Sequence, residues 1–206
     1  MRSLYATWPR VGMVLAAVLT VALVVALADD PDRATDVRFV LAVSLLTLFL
    51  HQNEEYVRPG GFPRMVNLVM FHSDLPDRYP LDQRTSWIVN VGLGWTSYAA
   101  AAIVGAHAIW LGIATLVVSA GNVFAHTLLF NIRGRTLYNP GLATCWLLFV
   151  PVITWFVVVV ARDDLVGVGA VVVGIALGLA LNYLGVVRLI VALGDRDSPY
   201  AFPARR

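Results

Sequence analysis

Long uncharged stretches of apolar residues decide what this chain can fold into. The longest of them, residues 87–131, extends over about 45 residues without an Asp, Glu, Lys or Arg. A membrane-spanning helix needs about 20 apolar residues, so this stretch is too long for one crossing and long enough for two. We place the break between the two crossings near residues 105–110. A chain built in this way is a polytopic membrane protein.

The rest of the sequence repeats this pattern. Of its 206 residues, 59% are hydrophobic and 14% are charged, which is more apolar than a soluble domain. We predict an all-α membrane bundle of about six transmembrane helices in a single domain, residues 1–206. Besides the two crossings within residues 87–131, the predicted spans lie near residues 11–28, 37–56, 141–161 and 165–193. We interpret the first as a retained anchor helix, although it also resembles a secretory signal.

The arginines indicate an orientation. With six spans, eleven of the 15 basic residues, all of them Arg, lie before residue 11, in 56–86, in 132–140 or after 194, and only three lie in the opposite loops. The positive-inside rule then predicts that both termini are in the cytoplasm, in the inner (plasma) membrane of the cell. Because these arginines flank helices and form no basic face, we expect no nucleic-acid partner.

Polar residues that suit chemistry lie near the ends of two predicted spans. The second span ends in His51, Glu54 and Glu55, and both carboxylates lie within about 60° of His51 around the helix. The fourth span carries Asn122 and His126, which share a face because they are four residues apart. Both spans run toward the predicted cytoplasmic side, so the two groups reach the same membrane depth.

A third polar element follows the fourth span directly. It consists of Arg133 and Arg135, then Tyr138 and Asn139 before the Pro-Gly pair that opens the fifth span. We expect the two arginines and Asn139 to bind the head group of a substrate, and Tyr138 to donate a proton to a developing oxyanion. Alternatively, the arginines serve only to fix the orientation of the helices in the membrane, and Tyr138 is one of the aromatic residues that lie at the membrane–water interface.

The motifs His51-x-x-Glu54-Glu55, Asn122-x-x-x-His126 and Tyr138-x-Pro-Gly, in this order, resemble the HXXEE-domain family of bacterial membrane proteins. The resemblance covers about residues 41–152, to which this chain adds a long loop at 56–84 and a C-terminal span at 165–193. It implies an integral membrane protein whose motifs form one shared site, and it does not identify a reaction.

A metal is the first interpretation of this site. His51 and Glu55 are four residues apart on one helix, as in helical zinc motifs, and His126 supplies a third ligand. Glu54 is then the base, although the sequence allows the two glutamates to exchange the roles of ligand and base. Asn122 orients a ligand or the substrate. Zinc comes first, with manganese or iron(II) as alternatives. We do not expect the lone Cys145 to form a thiolate zinc site, and no organic cofactor is evident.

Two classes of function follow from this site. The first is an enzyme at the cytoplasmic leaflet that hydrolyses, isomerises or cyclises a lipophilic, lipid-like or isoprenoid-like small molecule. A metal-free variant uses Glu54 or Glu55 as the general acid. The second is an ion or proton transporter or a metal-handling protein. Membrane lipids are the expected surroundings, and Gly174 and Gly178 allow close helix packing within the chain or in a homodimer.

Overall fold

The computed structural model describes residues 2–203, and this part of the chain is α-helical without a β-strand. Seven helices follow one another along it. They are α1 (Arg2–Asp29), α2 (Val37–Tyr56), α3 (62–70), α4 (Gln83–Val104), α5 (Ile109–Gly134), α6 (Leu142–Arg162) and α7 (Val168–Leu193). The all-α fold predicted from the sequence is therefore confirmed.

Five of these helices, α1 and α4 to α7, are long and apolar enough to cross a membrane. The chain thus has the helices of a multi-pass membrane protein, with five such spans where the sequence predicts about six. The difference is α2, which has the length of a span but ends in a run of polar residues. Eleven of its 20 residues are buried. Because the other helices enclose α2, it does not need an apolar surface on every side.

Contacts between helix ends fix the helix directions. The Tyr5 ring of α1 lies 5.1 Å from the Tyr200 ring, and Trp8 of α1 lies 4.8 Å from Tyr56 at the end of α2. At the opposite end, Arg38 at the start of α2 is hydrogen-bonded to His107, which lies between α4 and α5. The six long helices therefore run in alternating directions. Both ends of the described chain lie at one end of the bundle, which we call the terminal end.

The polar segment between α2 and α4 folds back onto the terminal end. Its helix α3 starts after Gly61, whose φ of 91° is easily adopted only by glycine. The side chain of Asn67 exchanges two hydrogen bonds with the backbone of Leu81, at 3.0 and 2.8 Å. These bonds close the segment, so that Phe62 and Val66 are buried against the bundle.

Helix α7 packs closely on α5 through its glycines. A Cβ atom added at Gly174 would lie 2.6 Å from Cβ of Ile113, and one added at Gly178 would lie 2.5 Å from Cβ of Val117. Any larger residue would therefore push the two helices apart. The two glycines serve packing within the chain, one of the two roles expected from the sequence.

Several helices contain π-helical segments near the terminal end. In the described chain these are 66–70, Ile88–Trp95, Ala125–Phe130, Cys145–Phe149 and Leu181–Arg188. A π-helical turn shifts the face that a helix presents, and such turns are frequent at functional sites. Here they bring side chains from α3 to α7 into the same region of the bundle.

Candidate metal centre

Three side chains from two helices meet at the terminal end. His51 and Glu55 lie four residues apart on α2, and the Nε2 atom of His51 is 3.4 Å from Oε1 of Glu55. His126, in the π-helical segment of α5, brings its own Nε2 atom to 3.3 Å from the same oxygen. The structure thus joins the imidazoles that the sequence places on separate helices.

This cluster is closed to bulk water. His51 is 2% exposed, Glu55 5% and His126 0%. A carboxylate buried to this extent needs a positive partner, because removing its charge from water costs several kcal/mol. The partner is either a proton held by one of the imidazoles or a metal ion.

The other nitrogen of His51 is held by Thr144. The Nδ1 atom of His51 lies 2.9 Å from Oγ1 of Thr144, and that hydroxyl donates to Glu54 over 2.6 Å. Since the hydroxyl proton is directed at the carboxylate, the Thr144 oxygen accepts from Nδ1–H of His51. This arrangement selects the tautomer in which Nε2 of a neutral His51 carries the lone pair.

His126 is fixed in the same way by Asn139. The Asn139 side chain donates to the His126 carbonyl oxygen at 2.8 Å and to Oδ1 of Asn131 at 2.7 Å. Both of its N–H groups are thereby used, so its own oxygen, 2.5 Å from Nδ1 of His126, accepts from that nitrogen. The Phe62 ring stacks on the other side of His126, with ring centroids 4.3 Å apart.

The two remaining imidazole nitrogens have no hydrogen-bond partner. Nε2 of His51 and Nε2 of His126 are both buried and unpaired in the described part of the chain. Each of these nitrogens therefore lies near the same Glu55 oxygen. The 3.3 and 3.4 Å separations exceed the usual N–H···O length of about 2.9–3.0 Å. Taken singly, each separation equals the edge of a tetrahedron around a zinc ion with bonds of about 2.0–2.1 Å, so two of the three ligand–ligand distances of such a site are present.

A thiol lies beside this cluster. Sγ of Cys145 is 4.0 Å from Nδ1 of His51, and the Cys145 side chain is fully buried. Ligand atoms of His51, His126 and Cys145 all lie within 4.8 Å of one another, so this group could hold a metal ion. Sequence reasoning sets Cys145 aside because a single cysteine within an apolar span carries no motif.

Glu54 occupies a different position from Glu55. Its carboxylate accepts the backbone N–H groups of Ala143 and Thr144, at 3.2 and 2.8 Å, and the hydroxyl of Tyr138, at 2.8 Å. It therefore caps the amino end of α6, where a negative charge is favourable. The sequence prediction treats Glu54 as a ligand or base, but the structure separates the two carboxylates and leaves only Glu55 at the histidines.

Tyr138 supports Glu54 from the polar segment before α6. Burial raises the pKa of Tyr138 to about 12, and the neighbouring Glu54 carboxylate acts in the same direction. The phenol thus keeps its proton near neutral pH and donates it in the hydrogen bond to Glu54. The structure places Tyr138 at the helix cap rather than at the histidines.

An apolar cavity opens from the histidines into the bundle. It has a volume of about 570 Å³, and its lining includes His51, Glu55 and His126. Most of the remaining lining is aliphatic or aromatic, contributed by α2, α3, α4, α5 and α7. Among the described residues that line it, Glu55 is the one carboxylate. The cluster therefore forms a polar patch in the wall of an apolar chamber.

The other predicted site residues are placed as follows. Asn122 lines the cavity, and its amide donates to the Val118 carbonyl oxygen at 3.1 Å. Asn139 is 1% exposed and contacts His126 rather than the cavity. Arg133 and Arg135 are exposed and do not line the cavity. Sequence reasoning missed Thr144, which contacts His51 as well as Glu54, because an isolated threonine in an apolar helix gives no signal.

The fold and this cluster define a class: an all-α, multi-pass membrane protein with two buried histidines and a carboxylate facing an apolar cavity. Residues 42–156 match the family described as a protein of unknown function with HXXEE motif. This match covers more than half of the chain, and the chain belongs to that family. Its defining motif corresponds here to His51, Glu54 and Glu55. No curated protein and no solved structure is similar enough to be matched with the chain.

Proposed function

We propose that this protein is an integral membrane enzyme that binds one divalent metal through His51, His126 and Glu55 and acts on a lipophilic small molecule. The observation that carries the proposal is the pair of unpaired Nε2 atoms facing one Glu55 oxygen in the wall of an apolar cavity. Three protein ligands leave a fourth position for the substrate, as in catalytic zinc sites.

The donor set suits a metal of intermediate hardness. Two imidazole nitrogens and a carboxylate oxygen favour zinc and also accept manganese or iron(II). When bound, such an ion supplies Lewis-acid polarisation of a substrate oxygen. Thr144 and Asn139 hold the two imidazoles in the metal-binding tautomer, the role that outer hydrogen-bond partners have in metal sites. Asn122 lies one turn before His126 and is available to bind the polar part of a substrate.

Two other arrangements use the same residues. In one, Cys145 replaces Glu55 as the third ligand; this would require Nδ1 of His51 to leave Thr144, since Sγ lies on the Nδ1 side. In the other, no metal binds and Glu55 shares a proton with an imidazole. The long separations between the Nε2 atoms and Glu55 favour the metal over the shared proton.

In the metal-free arrangement, acid–base chemistry falls to Glu55. It is the one carboxylate of the described cavity lining, and it lies beside both imidazoles. The apolar lining around the cluster excludes water from the reacting group, which strengthens each electrostatic interaction there. Hydrolysis, isomerisation and cyclisation of a lipid-like or isoprenoid-like molecule all fit such a site.

A transporter has less support. His107, the polar residue expected to continue a path to the far side, is hydrogen-bonded to Arg38 at the exposed opposite end and does not line the cavity. We further propose that the terminal end faces the cytoplasm, because the segments rich in arginine lie at that end. The site would then lie at the inner leaflet of the plasma membrane.

Metal analysis of matched glutamate variants tests the proposal. Purified protein should contain one equivalent of a divalent metal, which Glu55→Gln, His51→Ala and His126→Ala should lose. Glu54→Gln makes the same chemical change one residue away and should retain the metal. Full occupancy in Glu55→Gln, or loss in Glu54→Gln alone, would contradict the assignment.

A further inference from the structure

The volume and the lining of the cavity beside the histidines indicate the class of substrate more closely than the cluster itself. We infer that it takes the tail of a single-chain amphiphile, with the polar head at His51, Glu55 and His126 and the chain extending toward the centre of the bilayer. This inference rests on the proposed function, since it names the class of molecule on which that site acts.

The volume of the cavity limits the ligand to one chain. A cavity of about 570 Å³ lies in the range of about 300–1,000 Å³ that is typical of pockets holding one small molecule. A lipid with two acyl chains and a head group is larger than such a molecule. A single fatty or isoprenoid chain fits this space.

The lining divides the cavity into a polar part and an apolar part. The polar part contains the cluster, together with Gln52 and Asn90, which are hydrogen-bonded to each other at 3.0 Å. The mostly apolar part extends along α5 from His126 to Val117, and its polar side chains include Asn122, one turn from His126, and Asn182. His126 and Val117 are nine positions apart, which is about 14 Å along a helix. A head group and a tail thus find separate surroundings in one chamber.

The cavity reaches the outer surface at apolar positions. Phe124 of α5 is 63% exposed and Leu179 of α7 is 59% exposed, and both contribute to the lining. Each lies near the middle of a helix that is long and apolar enough to cross a membrane. At that depth the surface faces hydrocarbon, so the opening suits a chain that arrives from within the bilayer.

Two glycines on α4 provide a matched test. Gly94 lines the cavity, and a Cβ added there would meet its nearest atoms at 3.6–3.8 Å, so a larger side chain can enter the space without displacing the backbone. Gly92 does not line the cavity, and an added Cβ would have nothing within 4 Å. Gly94→Leu should therefore fill the chamber, whereas Gly92→Leu adds the same side chain on the exposed side of the same helix.

The experiment uses the full chain in phosphatidylcholine nanodiscs and hexadecanol carrying a photoactivatable diazirine at its chain end. Labelled sites are located by mass spectrometry, and metal content is measured on the same samples. In the wild type and in Gly92→Leu we expect labels on lining residues of α5 and α7. In Gly94→Leu this interior labelling should fall about tenfold or more, with the metal retained. Ser97→Leu, a second change in the lining, should also reduce it.

Three outcomes decide the matter. Labels confined to the outer surface and equal in all variants would overturn the inference. If the metal were retained in those samples, the metal assignment would still hold. Equal interior labelling by a diacylphosphatidylcholine with the same diazirine would overturn the single-chain assignment. Interior labelling that Gly94→Leu abolishes would support the inference even if no variant held metal, in which case only the metal assignment would fail.

Discussion

Thr144 offers the sharpest test of how the cluster is held. Its hydroxyl oxygen accepts from Nδ1 of His51 at 2.9 Å, and its proton is donated to Glu54 at 2.6 Å. Thr144→Val keeps the shape of the side chain but removes both interactions. It leaves the buried Nδ1–H group of His51 with only the weak acceptor Sγ of Cys145, at 4.0 Å, and frees the ring to adopt the other tautomer.

The expected magnitude follows from these contacts. An unsatisfied buried donor costs about 1–3 kcal/mol of the free energy of unfolding. Glu54 keeps its bonds from Tyr138 and from the backbone of Ala143 and Thr144, so the cap of α6 should survive. Loss of an outer hydrogen-bond partner of a metal ligand typically weakens metal binding by about 10–100-fold. We therefore expect this loss of zinc affinity in Thr144→Val, together with a moderate loss of stability.

Zinc affinity is measured by competition with a chromophoric chelator in detergent, and stability by titration with a denaturing detergent. Thr154→Val is the control, because Thr154 lies on the same helix, is exposed and only donates to its own helix at Val150. This control should bind zinc and unfold like the wild type. If Thr144→Val did the same, the proposed fixing of the His51 tautomer would be wrong.

Three further predictions concern neighbouring residues. Gly141→Ala should abolish zinc binding, because the added methyl group would clash with the His126 ring. The φ of 107° at this position should lower the free energy of unfolding by about 1–3 kcal/mol, and the clash should lower it by a similar amount. Thermal unfolding checks this, and unchanged stability would contradict it. Cys145→Ser should keep one equivalent of metal in elemental analysis, since Glu55 is the third ligand, and loss of the metal would assign that position to the thiol. Because the pKa of Tyr138 is higher in the folded protein than its ordinary value of about 10, its contribution to stability is present below pH 10 and is lost as the pH rises toward 12. As the pH rises from 10 to 12, the free energy of unfolding should therefore fall less in Tyr138→Phe than in the wild type. Denaturation curves at about pH 10 and about pH 12 measure both losses, and equal losses would refute this.

Much of the fold is readable from the sequence because the membrane imposes a simple rule. Apolar stretches of about 20 residues become helices, and α4 and α5 meet where the 87–131 stretch is divided by the turn after Val104. Helix α2 forms at the predicted residues, but it is not one of the five helices that are apolar enough to cross a membrane, because a helix enclosed by other helices is not selected for an apolar surface. The sequence cannot state which helix is enclosed before the others are packed around it.

The candidate site is partly readable for a related reason. His51 and Glu55 share a helical face, and α2 and α5 both run toward the terminal end, so the meeting of His126 with them follows from spacing and topology. Glu54 and Glu55 differ by about 100° around α2, which is enough to send one to the α6 cap and the other to the cavity. Spacing alone does not decide which goes where. Thr144 could not be predicted, because it reaches His51 and Glu54 only when α6 packs on α2.

X-ray absorption spectroscopy of the zinc-loaded protein tests the metal centre most directly. We predict that only nitrogen and oxygen atoms coordinate the zinc, with two imidazoles at about 2.0–2.1 Å and one carboxylate oxygen. A sulfur atom at about 2.3 Å, or a wild-type protein that binds no zinc, would contradict it.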